Sequence, residues 1–169
     1  PAEDAQTVVV KRAADSVEFF GAEIFSRNLI FLIDVSGSMA MFDQGELRRK
    51  EAEKARIRLD RARKQLLGAI ESLPKTARFN IIAYSNKVTT WQKGLKPASK
   101  SAIKSAGRFV KEFLARGATY TDDALKRAFE DTEADTIVLL SDGATPKPDY
   151  PSDYLIGQIL KAIANRNAA

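Results

Sequence analysis

Asp34, Ser36 and Ser38 stand at alternate positions directly behind the apolar run Leu29-Ile30-Phe31-Leu32-Ile33. One carboxylate and two hydroxyls are hard oxygen donors, the ligand type that suits Mg²⁺ or Mn²⁺, with Ca²⁺ less favoured. The apolar run reads as a buried strand, and the switch from strand to loop turns all three side chains toward one small volume beyond its carboxyl end. Open α/β sheets bind ligands at that end. The spacing alone is weak evidence, because an Asp before Ser and Gly also caps ordinary turns. Two other segments add weight. A second apolar run, Thr136-Ile137-Val138-Leu139-Leu140, ends in Ser141-Asp142-Gly143, and Arg116-Gly117-Ala118-Thr119-Tyr120-Thr121 places a threonine in a loop ahead of a helical pattern. Three loops at one sheet edge then offer two carboxylates and three hydroxyls.

The rest of the composition narrows the chemistry. The 169 residues contain no Cys and no His. Disulfides, zinc-thiolate sites, thiol nucleophiles, imidazole ligands and Ser-His-Asp catalysis are therefore excluded. Any metal site must be built from oxygen. With 44% hydrophobic and 29% charged residues, the chain reads as one soluble globular domain able to bury a core. No apolar run approaches the ~20 residues of a membrane-spanning helix. The chain opens on Pro1 and a polar stretch, so no signal peptide is visible. The compartment, extracytoplasmic or cytoplasmic, is left open.

The elements that must position these residues follow from periodicity. Residues 1–16 are a polar lead-in, and residues 17–169 form a single domain. Val17 to Phe25 reads as an extra edge strand around Gly21, and Asn28 to Asp34 as a parallel strand covered on both faces. Ala55, Leu59, Ala62, Leu66, Ile70 and Leu73 recur at helical intervals ahead of Pro74. Arg78 to Ser85 is a second core strand, Asn86-Lys87 a tight turn, and Val88 to Gln92 a short return strand in which Trp91 is expected to be partly buried. Lys100 to Leu114 and Asp122 to Asp131 read as helices, the second with Thr121 as N-cap and Asp122 and Asp123 in its first turn. Thr136 to Leu140 is the third apolar strand. Pro146, Pro148 and Pro151 stiffen the loop beyond it, and Ser152 caps a last helix to about Ala164. Strands alternating with helices predict an α/β fold: a doubly wound, mostly parallel sheet with helices on both faces.

Phe31-Leu32-Ile33-Asp34-Val35-Ser36-Gly37-Ser38-Met39, Gly117-Ala118-Thr119-Tyr120-Thr121 followed by Ala124-Leu125, and Leu139-Leu140-Ser141-Asp142-Gly143 occur in the order found in one family. Over about residues 27–165 the chain resembles a von Willebrand factor type A domain, the Rossmann-like fold shared with integrin I domains. The resemblance implies a metal-ion-dependent adhesion site at Asp34, Ser36, Ser38, Thr119 and Asp142, with Thr121 left to the helix start. It implies direct ligation by the serine hydroxyls, Thr119 joining in one state, and Asp34 and Asp142 acting directly or through water. The implied function is non-enzymatic: a bound Mg²⁺ or Mn²⁺ presented to an Asp or Glu carboxylate of a protein ligand. The family's sheet continues for one or two strands and a closing helix past the last element here. The domain is therefore expected to be C-terminally incomplete and part of a larger protein.

Competing readings exist. Asp34 at the end of a first parallel strand is also where haloacid-dehalogenase-like phosphatases carry a nucleophile, but those place a second Asp where this chain has Ser36. A structural module with an empty site is the other. The net charge of +5 resides between Glu46 and Lys64, where nine basic residues face four acidic ones. That run reads first as a solvated helix face, next as a docking surface for an acidic partner. Nucleic acid is not expected, since no aromatic is interleaved. Tyr120 and Asp123 flank the threonine loop as supporting candidates or simple helix-start residues.

Overall fold

The computed structural model describes residues 16–19, 22–40 and 58–141, with side chains from residue 26 onward. The lead-in up to residue 15, most of the basic run, Asp142, the proline-rich loop and the last helix lie outside the described residues. So does Ala55, the first residue of the expected helical stripe.

A five-stranded, mostly parallel sheet organises the chain. β3 (Asn28–Asp34) is its centre, paired in parallel with β4 (Arg78–Tyr84) on one side and β7 (Thr136–Leu140) on the other. The register sets Asp34 beside Tyr84 and Ile33 beside Leu140. β5 (Val88–Thr90) and the two-residue β6 (Lys96–Pro97) both run antiparallel to β4, so the order is β5-β4-β3-β7 with β6 off this path. β6 has no periodicity to reveal it and exists through its pairing with Arg78 and Phe79. The expected strand from Val17 to Phe25 is instead a hairpin, β1 (Ser16–Phe19) and β2 (Ala22–Phe25), forming its own two-stranded antiparallel sheet.

Burial on both faces explains the continuous apolar run in β3. Leu29, Phe31 and Ile33 face one way with Phe79, Ile81 and Ala83, while Ile30 and Leu32 face the other with Ile82 and Tyr84. Helices α1 (Arg58–Glu71) and α2 (Lys100–Lys111) cover the first face; α3 (Thr121–Phe129) covers the second. The stripe Leu59, Ala62, Leu66, Ile70 and Leu73 is buried. Each such Leu or Ile contributes about 1.5–3 kcal/mol by leaving water.

α2 ends three residues earlier than its apolar pattern predicts. Its N-cap is Ser99, whose hydroxyl accepts from the Ala102 amide, and its C-cap is Glu112. Phe113 turns inward against Phe109, edge to face at 5.2 Å. Its carbonyl accepts from the Arg63 guanidinium. Leu114, grouped with the apolar face by sequence, is 65% exposed. Trp91 is partly buried as expected. It lies just past β5, stacked on Phe79 at 4.9 Å, and its indole N–H donates to Ser105.

Candidate metal centre

The centre begins at the last residue of β3. Asp34 is fully buried at 0% exposure. An ionised carboxylate there is costly unless it is hydrogen-bonded or paired. One oxygen accepts from the Ser36 amide at 2.8 Å and the other from the Ser141 hydroxyl at 3.1 Å. The first bond closes an Asx-type turn that reverses the chain as it leaves the sheet. It carries Ser36, also buried, over the end of the strand, and the short 3₁₀ turn Gly37–Ala40 follows with Met39 anchored in the core. The Ser36 and Ser38 hydroxyls come to rest 3.1 Å apart.

Backbone bonds join this loop to the threonine loop. The Val35 amide donates to Tyr84, and the Arg116 amide returns to the Val35 carbonyl at 2.9 Å. The Gly37 amide donates to the Gly117 carbonyl at 2.9 Å, and the Tyr120 amide donates to Ser85 at 3.0 Å. Gly117 holds φ at +81°, the left-handed region that glycine occupies without strain. A Cβ there would lie 2.5 Å from Asn86 Oδ1.

The two threonines differ. Thr121 donates its hydroxyl to the Tyr84 hydroxyl at 3.3 Å in a buried contact, and it is the first residue of α3. The N-cap is Tyr120, which makes no side-chain cap bond, so the expected Thr121 cap is corrected by one residue. Thr119 is buried on the loop and forms no side-chain hydrogen bond among the described residues. Asp122 and Asp123 pair with Lys126 at 3.6 and 3.7 Å. That is helix-start chemistry with i,i+4 and i,i+3 pairing.

Asp34, Ser36 and Ser38 are thus brought into one hydrogen-bonded cluster, with the Thr119 loop tied to it through the backbone. Asp142 lies outside the described residues. Sequence reasoning missed Ser141, whose signal was its place one residue before Asp142 at the end of β7. It also missed Ser85 and Asn86, which brace Gly117 and carry no signal in the sequence.

The donor set fits a small hard cation. Among the described residues no three carboxylate, imidazole or thiolate groups gather, so hydroxyls must supply much of the coordination. Two ligands at right angles, each about 2.0–2.1 Å from Mg²⁺, lie about 2.9 Å apart; at the same angle Ca²⁺ needs about 3.3–3.7 Å. The 3.1 Å between the serine hydroxyls lies between the two, within reach of either cation.

Comparison with known proteins bears on the fold and the family. A family model described as the von Willebrand factor type A domain matches residues 50–166. The chain is 32% identical over 114 residues to inter-alpha-trypsin inhibitor heavy chain H3 of Bos taurus, covering 66% of this chain and 11% of that one. The chain therefore spans about a tenth of the length of this curated relative. Among solved structures, a von Willebrand factor type A protein from Catenulispora acidiphila superposes with a TM-score of 0.61 at 22% identity, over 84% of this chain and 31% of that one. The PilB minor pilin of Streptococcus sanguinis gives 0.52 at 18% identity, over 73% and 32%. These likenesses show the expected doubly wound fold.

Proposed function

The chain belongs to the von Willebrand factor type A family, and from that premise we propose that it binds a protein ligand through a divalent cation held by Asp34, Ser36, Ser38, Thr119 and Asp142. Domains of this family serve generally in protein interaction and adhesion rather than catalysis. The observation that carries the reading is the pair of serine hydroxyls 3.1 Å apart on a turn locked by a buried carboxylate. Mg²⁺ or Mn²⁺ at this point supplies an open coordination position that an Asp or Glu carboxylate of the partner can fill.

The chain's own residues divide the work. Ser36 and Ser38 are neutral donors, so they hold a cation without cancelling its charge. Asp34 has at least one donor on each oxygen, from Ser36 and Ser141. It therefore shapes the loop and offers its remaining lone pairs to a cation-bound water. Among the described residues Thr119 has its hydroxyl uncommitted, which favours it over Thr121 as a ligand. The net charge of +5 favours encounter with an acidic partner. No observation supports the phosphatase alternative: Ser36 occupies the general-acid position and is hydrogen-bonded to Ser38.

The test is a titration of the purified chain with Mg²⁺ and Mn²⁺, read by thermal unfolding. A cation bound only by the folded state stabilises by about 2.7 kcal/mol at a hundredfold excess over Kd. Ser38→Ala, at a half-exposed position, should fold normally and lose the shift. An unfolding temperature indifferent to both cations at millimolar concentration would reduce the domain to a structural module.

A further inference from the structure

Next to the metal loops, on the α2 side of the sheet, lies a cleft of about 550 Å³. That volume is in the range of pockets that seat ligands, about 300–1,000 Å³. Its floor is apolar: Val35, Phe109 and Phe113 line it and pack against the core beneath. On its rim stands Leu114, at 65% the more exposed of two exposed large hydrophobic side chains among the described residues. A single exposed Leu is ordinary; one that continues an apolar floor is a surface left uncovered by the described residues. Lys87 and Arg116 flank the opening, neither ion-paired among the described residues, and Glu112 is the single carboxylate of the lining.

The cleft is continuous with the metal loops. Val35 is the residue after Asp34, and Gly117 lines the cleft while its carbonyl holds the Gly37 amide at 2.9 Å. A partner anchored by a carboxylate at the metal therefore has an apolar receptacle beside its anchor, with two cations against one anion around it. We propose that this cleft seats a large apolar side chain of the acidic protein partner, adjacent in the partner's chain to the carboxylate that reaches the metal. The carboxylate half of this inference rests on the metal-dependent reading; the apolar half rests on the cleft's own lining. Recognition is then two-point. The cation supplies a requirement for acid, and the cleft chooses among acidic partners by the side chain next to it.

The experiment pans random dodecapeptides displayed on phage against the immobilised chain in Mg²⁺, eluting first with a chelator and then with denaturant. The same panning is run on Ser38→Ala and on Thr89→Arg, which puts bulk and charge into the cleft from an exposed wall position on the edge strand β5. The chelator eluate of the wild type should carry Asp or Glu near a Leu, Phe or Trp at a repeated short spacing. Synthetic peptides made from these sequences should lose about tenfold in affinity when the apolar residue becomes Ser, from the area it no longer buries. Against Thr89→Arg that loss should vanish. Chelator-eluted acidic peptides with no apolar preference, or with a preference unchanged by Thr89→Arg, would overturn the cleft and leave the metal reading standing. Peptides released only by denaturant, and lost in Thr89→Arg, would uphold the cleft and sink the metal reading. Recovery of neither kind refutes both.

Discussion

Gly117 joins the two loops of the candidate metal centre, and replacing it with Ala tests whether the backbone there matters as the geometry says. With φ at +81°, any L-residue pays about 1–2 kcal/mol for the left-handed conformation. The new Cβ would also lie 2.5 Å from Asn86 Oδ1. Asn86 is exposed and its amide is a flexible end, so it can rotate away. In doing so it gives up the hydrogen bond it accepts from Ser85 at 3.3 Å, worth about 0.5–1.5 kcal/mol. Gly117→Ala should therefore cost about 2–3 kcal/mol in urea unfolding. Fluorescence of Trp91 is a suitable readout, because it is the chain's one tryptophan and stacks on Phe79. In an Asn86→Ala background the clash is gone and only the backbone strain of about 1–2 kcal/mol should remain. Because the Gly117 carbonyl receives the Gly37 amide, the variant should also weaken Mg²⁺ binding. Wild-type stability, or an equal cost in both backgrounds, would refute the steric argument. Lost stability with an unchanged Mg²⁺ response would refute the link between the loops.

Other outcomes can be stated more briefly. Thr121→Val removes the bond to Tyr84 and should cost about 1 kcal/mol without changing Mg²⁺ affinity. Thr119→Val should do the reverse, weakening Mg²⁺ binding with stability held, and paired thermal-shift titrations separate the two. Ser141→Ala withdraws one donor from Asp34 Oδ2; a fall in Mg²⁺ affinity of about tenfold is expected, as for other residues that orient metal ligands. Asn80 is 1% exposed, and its side chain bonds the Gln92 amide and carbonyl and the Ile81 amide. Asn80→Ala strips partners from these backbone groups, so urea unfolding should show a loss of about 2–3 kcal/mol with the metal response intact.

What was legible in the sequence was what local periodicity and local chemistry encode. The unbroken apolar run of β3, the helical stripe of α1 and the alternation of strands with helices each state how a segment buries itself. Asp34, Ser36 and Ser38 declare a cluster because five residues at a strand end cannot separate far. Thr119 entered through family resemblance, and its loop is held to the first by bonds between residues about eighty apart in the chain, Gly37 to Gly117. The end of α2 was misjudged for a related reason. Its apolar pattern runs on to Leu114, but the Phe113 carbonyl and ring are claimed by Arg63 and Phe109, and Leu114 is left outside.

By itself the sequence determined the class of chemistry. With no His and no Cys, any metal must be met by oxygen, and a strand ending in Asp-x-Ser-x-Ser offers that oxygen in one place. The tertiary structure alone decided which threonine hydroxyl another described residue takes up. Thr121 and Thr119 are the same residue two positions apart, and only the packing of Tyr84 against α3 occupies the first. Ser141 reaches Asp34 only because β7 pairs with β3 in a register that brings their carboxyl ends together. Hydrogen-bonding capacity belongs to the residue type, but its use depends on neighbours distant in the chain, and those are set by the sheet.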